Sequence, residues 1–166
     1  PMYDFVIADA NKAKKVAKVE IKPLTSTGVA TGIENPNNRM LTIGEINFNY
    51  VEGEEPQEEL KEVAQKSFNI TMTNDVLTTD EGANVEKLVE SKKYDGLFNN
   101  DEENNDFEFK WDLDYNHQDG KLPEYVKLPT TMHFELREPM VLRDVEILNR
   151  KNSNGSVNSM QAVITY

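Results

Sequence analysis

Apolar and polar residues alternate over much of the chain, most clearly at 107–115, FEFKWDLDY. Phe107, Phe109, Trp111, Leu113 and Tyr115 fall on one parity, and Glu108, Lys110, Asp112 and Asp114 on the other. A period of two puts successive side chains on opposite faces of a strand, so this segment has one oily face and one mostly acidic face. The same rhythm marks 3–7 and 15–22, where Ala17, Val19 and Ile21 share a face. It marks 39–51, where Met40, Thr42, Gly44, Ile46, Phe48 and Tyr50 fall together and Gly44 signals a bulge or bend. Phe68, Ile70 and Met72 predict a strand in 67–74, and Met132, Phe134 and Leu136 one in 131–136. Pro139 interrupts that run, which resumes over 140–148. Met160, Ala162, Ile164 and Tyr166 line one face of the last segment.

Two stretches depart from this rhythm. In 52–66, EGEEPQEELKEVAQK, Pro56 suits a first helical turn, acids crowd the N-terminal end, and Leu60, Val63 and Ala64 form a narrow apolar stripe. Asp80 predicts the N-cap of a second helix over 81–92, with Val85, Leu88 and Val89 on its apolar side. Residues 23–38 read as a long loop rich in Pro, Gly, Thr and Asn, and 95–106 as a polar, acidic loop. Turns are expected at 116–121 and 149–156. Alternation with polar outer faces predicts antiparallel sheets, because a parallel sheet covered on both sides shows continuous apolar runs. The expected fold is β-rich α+β: a barrel or sandwich of about seven or eight antiparallel strands with two short helices, in one domain spanning 1–166.

The oily face of 107–115 reads as core. The sharper alternative is a surface on which bases stack, with Phe48, Tyr50, Phe107, Phe109 and Trp111 as the platform. Charge opposes that alternative. The 166 residues carry 18 Lys and Arg against 30 Asp and Glu, a formal charge of −12. Such an excess repels nucleic acid and anionic membrane unless cations cluster, and the only cluster is Lys12, Lys14, Lys15 and Lys18. No apolar run reaches the roughly 20 residues that span a bilayer, so no membrane partner is expected. The first apolar segment precedes its lysines, the reverse of a secretory signal.

Catalytic and ligand-binding signatures are sparse. Cysteine is absent, which rules out disulfides, thiolate nucleophiles and Cys-ligated metals. His117 and His133 stand apart from one another and read as ordinary surface residues. Asp112, Asp114 and Asn116 begin like a calcium loop, but His117 stands where the glycine is needed and Pro123 where the closing Glu belongs. The GVATG stretch at 28–32 lacks the phosphate-loop lysine, and no nucleophile elbow or H-E-x-x-H motif occurs. Sequons at Asn69 and Asn154 have meaning only in a secreted chain. A non-enzyme without cofactor or metal is the expectation.

The order of elements carries a resemblance. A long strand at 39–51 is followed by SFNITMTNDVLTTDEGANVEKLVE, in which Ile70 to Asp75 leads towards a helix at 81–92, and the final strand, Met160 to Tyr166, closes the chain. This layout resembles the tube proteins of bacteriophage tails and the related secretion-tube proteins. The resemblance implies a β-barrel or sandwich flanked by a helix, stacked as rings around a channel that passes DNA. It implies a virion subunit, assembled in the host cytoplasm, whose partners are its own copies and other virion proteins. An acidic lumen suits a tube that conducts DNA without binding it, with Glu108, Asp112 and Asp114 as the channel-facing acids. Two alternatives remain: a small single-stranded DNA-binding barrel of a phage or mobile element, and an acidic DNA mimic that blocks a DNA-binding protein.

Overall fold

A computed structural model describes residues 2–26, 40–51, 60–74, 94–98, 109–112, 130–149 and 157–166. Within them run ten strands: β1 (Met2–Val6), β2 (Val16–Ser26), β3 (Met40–Ile43), β4 (Glu45–Val51), β5 (Leu60–Glu62), β6 (Phe68–Asn74), β7 (Phe109–Asp112), β8 (Thr130–Met140), β9 (Asp144–Leu148) and β10 (Val157–Thr165). They form two four-stranded antiparallel sheets. Sheet A has the order β1-β9-β4-β5, sheet B the order β10-β2-β8-β6, and β3 with β7 makes a separate two-stranded ribbon.

The two large sheets pack face to face through aromatic side chains. Phe48 of sheet A meets Phe68 and Phe134 of sheet B at ring-centroid distances of 4.5 and 5.0 Å. Around these rings lie Val19, Ile21, Ile46, Met72, Met132, Leu136, Val145 and Ile147, all buried. The expected inward faces of β2, β6 and β8 therefore form the core, as do Met160, Ala162 and Ile164 of β10, which pack partly buried against it. Burying each large apolar side chain contributes roughly 1.5–3 kcal/mol.

The expected helix over 52–66 is not formed at its described end. Leu60–Glu62 is strand β5, paired with Asn49–Val51 of β4, and a 3-10 turn follows at Gln65–Ser67. The N–H of Val63 donates to the carbonyl of Phe48 at 2.9 Å, which draws Val63 into the core while Leu60 and Ala64 stay exposed. Satisfying the open edge of β4 outweighs a helical preference of only a few tenths of a kcal/mol per residue. The expected helix over 81–92 lies outside the described residues. Among those residues the helical segments are short 3-10 turns, at Asp9–Asn11, Gln65–Ser67 and Asp95–Phe98, and no helix is long and apolar enough to cross a membrane.

Three further boundaries differ from expectation. Of the strand expected over 39–51, residues 40–51 form two strands, because the chain passes at Gly44 from the β3–β7 ribbon into sheet A. Strand β2 runs on through Pro23 to Ser26. A proline fits there because pairing with β8 ends at Ile21↔Met132 and the register with β10 shifts just where Met160 meets Pro23. Strand β8 likewise continues through Pro139. The jump from Lys18↔Glu135 to Val16↔Met140 makes a bulge around that proline, and Val16, of opposite parity to Val19, is fully buried.

Candidate functional site

The residues singled out in the sequence fall in different parts of the molecule. Phe48 is fully buried, its ring against Phe68, Phe98 and Phe134. This corrects its reading as a stacking residue, since a base cannot reach it without opening the core. Tyr50 is half-buried against the same core. On β7, Phe109 pairs with Ile43, Trp111 with Leu41 and Asp112 with Met40; the placement of their side chains, like Phe107, Glu108 and Asp114 altogether, lies outside the described residues. His133 is half-buried on sheet B, its Nε2 2.8 Å from the hydroxyl of Thr73. His117 lies outside the described residues.

Three features emerge from the fold. The first is a polar network on the face of sheet A that points away from the core. Register aligns Asp4, Glu146 and Asn47 in one cross-strand row, and Val6, Asp144, Asn49 and Glu62 in the next. Glu45, Asn47, Asn49 and Asp144 are buried, at 1, 6, 3 and 7 % exposure. The amide of Asn49 donates to Glu146, and Asp144 shares side-chain hydrogen bonds with Asn49 and Asp4. Two carboxyls in one hydrogen bond need a proton between them. Burial, the bond to Asp4 and the charges of Asp4 and Glu146 accordingly push Asp144 from 3.8 up to about 6, against a smaller opposing pull from Asn49. The other carboxyl oxygen of Asp144, Oδ1, has no hydrogen-bond partner among the described residues. Among the described residues no group of three or more His, Asp or Glu is arranged to hold a metal ion.

The second feature is a cleft of about 640 Å³ beside the first residues of β6, lined by Ala64, Gln65, Lys66, Phe68, Ile70, Tyr94 and Arg137. Phe68, Ile70 and Tyr94 supply its apolar surface, and Lys66 and Arg137 are exposed on it. The Nε of Arg137 donates to the backbone carbonyl of Lys66 at 3.0 Å, which ties the Arg137 side chain to the Lys66 backbone at the cleft. Asp95 stands nearby, accepting from the Gln65 amide at 2.9 Å. Of the polar loop expected over 95–106, residues 95–98 are described; there Leu97 is buried, as is the preceding Tyr94, and Phe98 lies parallel to Phe48 at 6.1 Å. The signal available was the apolar pair Leu97 and Phe98 ahead of the acids.

The third feature is the sheet edges. Among the described residues β10 pairs only with β2, β6 only with β8, and β1 only with β9. Their outward backbone groups thus have no strand beside them there. No protein-family model matches the chain, nor does any curated protein or solved structure.

Proposed function

We propose that this chain is a non-catalytic structural subunit that assembles with copies of itself into rings or tubes. The observation that carries the reading is the composition of the two edges of sheet B. Strand β10, VNSMQAVIT, and strand β6, FNITMTN, contain neither a charged residue nor a proline. Edge strands are ordinarily blunted by charge, proline or brevity, because an open edge templates pairing with another chain. In a sequence that is 29 % charged, two uncharged edges of nine and seven residues are a departure that assembly explains. Val163 is 47 % exposed on β10, which adds apolar surface to that edge.

β10 and β6 bound opposite sides of one sheet. Joining β6 of one copy to β10 of the next is a head-to-tail contact, which makes rings if the rotation closes and filaments if it does not. The tail-tube form of the reading adds a virion location, an acidic channel and DNA passed through rather than bound; the net charge of −12 supports that part. Stacking of single-stranded DNA loses support, because Phe48 is core.

Negative-stain imaging and light scattering of concentrated protein test the proposal. Rings, tubes or a defined multimer are expected. Replacing an outward residue on each edge, Val163→Pro and Thr71→Pro, should remove them. A monomer at every concentration overturns the reading.

A further inference from the structure

We infer that a second contact between copies, ionic where the sheet-edge contact is uncharged, seats the β1 edge of one copy in the Lys66–Arg137 cleft of another. This rests on the self-assembly reading above and adds to it the residues that meet. The cleft has two attributes. Its walls of Phe68, Ile70 and Tyr94 are apolar, and its rim holds two cations in a chain with 12 surplus negative charges. Among the described residues neither Lys66 nor Arg137 has a carboxylate within ion-pairing distance, whereas Lys18 is paired with Glu20 at 3.4 Å. Arg137 is also oriented in advance, since its Nε is already committed to the Lys66 carbonyl. With Lys66, Arg137 and Ala64 all exposed, the cleft is a shallow seat at the surface, a form that suits a protein edge better than an enclosed small molecule.

The complement to such a seat is an acid beside an exposed apolar side chain, and β1 carries both. Asp4 is exposed at the open edge of sheet A, with Glu146 and Asp144 on the neighbouring strand. Two residues along on the same face, Val6 is 68 % exposed, the most exposed large apolar side chain among the described residues. Arg143, next to Asp144, is the cation nearest in sequence to this patch, and the acids outnumber it. Since cleft and patch are different surfaces, the contact is head-to-tail and can propagate from copy to copy.

Charge exchange between two variants of the full chain tests the contact. Lys66→Glu with Arg137→Glu sets an acidic cleft against Asp4, and Asp4→Arg sets the natural cleft against a cation. Each variant alone should lose about tenfold or more in assembled fraction by light scattering, since like charges in contact cost several kcal/mol. Mixed one to one, they restore complementary pairs at every contact, and assembly should recover; recovery also shows that both variants fold. Wild-type assemblies should shrink in 1 M salt, which shortens screening to roughly 3 Å. If each variant alone assembles as the wild type does, the ionic contact is overturned while the self-assembly reading stands. If both variants fail and their mixture stays unassembled, the pairing of these two surfaces is overturned. If the wild type never assembles, both fall together.

Discussion

Strands β4 and β8 occupy equivalent places, each flanked on both sides within its own sheet, yet they treat their polar residues in opposite ways. On β8 the alternation ends in solvent beyond Thr131, which is buried: Met132, Phe134 and Leu136 are buried, His133 is half-buried, and Glu135 and Arg137 are exposed. On β4 the alternation persists in the sequence but not in the exposure, since Glu45, Asn47 and Asn49 are as inaccessible as Ile46 and Phe48. Alternation reports which face is oily. It does not report whether the other face is wet. Where that face is dry, each polar group has to find a hydrogen bond or a proton, so β4 should tolerate substitution on both faces far less than β8.

The largest effect is expected at the shared core. Phe48→Ala removes the ring that touches Phe68, Phe98 and Phe134, and should lower stability by about 3–5 kcal/mol in denaturant unfolding. Glu135→Ala, on the exposed face of β8, should stay within about 0.5 kcal/mol. Equal effects at the two positions would remove the contrast between core and surface on which the comparison is built.

Next comes pH. The folded protein holds Asp144 at about 6, above its ordinary 3.8, so between these values the native state keeps a proton that the unfolded chain has released. The resulting stability is fully present below about pH 3.8 and is lost as pH rises to 6, by about 2–3 kcal/mol from this group alone. Asp144→Asn keeps a donor for Asp4 and cannot titrate. Its stability relative to wild type should therefore rise across pH 4–6 and then level off. A parallel pair of stability–pH curves would show that Asp144 titrates normally. A smaller effect is expected at Asn49. Replacing it with Ala strips Glu146 and Asp144 of an amide donor in a buried setting, at a cost of about 2 kcal/mol.

The same contrast explains what the sequence disclosed. Inward faces were legible wherever period two held, as at Met132, Phe134 and Leu136, because burial of a sheet face leaves its mark on every second residue. The uncharged edges β6 and β10 were also present in the sequence as strands, but which strands lie at an edge depends on sheet order, and pairing is non-local: β1 meets β9 across Asp4↔Glu146. The acid network was hidden for the same reason, since its members come from residues 4, 49, 144 and 146. The segment at 60–62 misled because acids and Leu60 satisfy a helical pattern, while the deciding partner, the edge of β4, is elsewhere in the chain. The cleft pairs Lys66 with Arg137, 71 residues apart, and no local pattern marks either.

Gly44 should give the smallest effect and the most local one. It stands between β3 and β4, where its N–H donates to the carbonyl of Leu148 at 2.8 Å and the chain leaves one sheet for another. A Cβ there would lie 3.1 Å from the Asn149 carbonyl oxygen and 3.3 Å from that of Leu148. Both neighbours are backbone, so neither can swing away as a side chain end would; the β4–β9 pairing must open by a few tenths of an ångström. Gly44→Ala also gains about 0.5–1 kcal/mol by restricting the unfolded chain, which offsets part of the crowding. The net loss should be about 1 kcal/mol, with faster amide exchange confined to Gly44 and its partner strand end at Leu148–Asn149. A stabilised Gly44→Ala protein would show that the two sheets are not held this closely at the crossing. The β3–β7 ribbon would then be free to shift relative to sheet A, and the long-strand reading of 39–51 would regain its force.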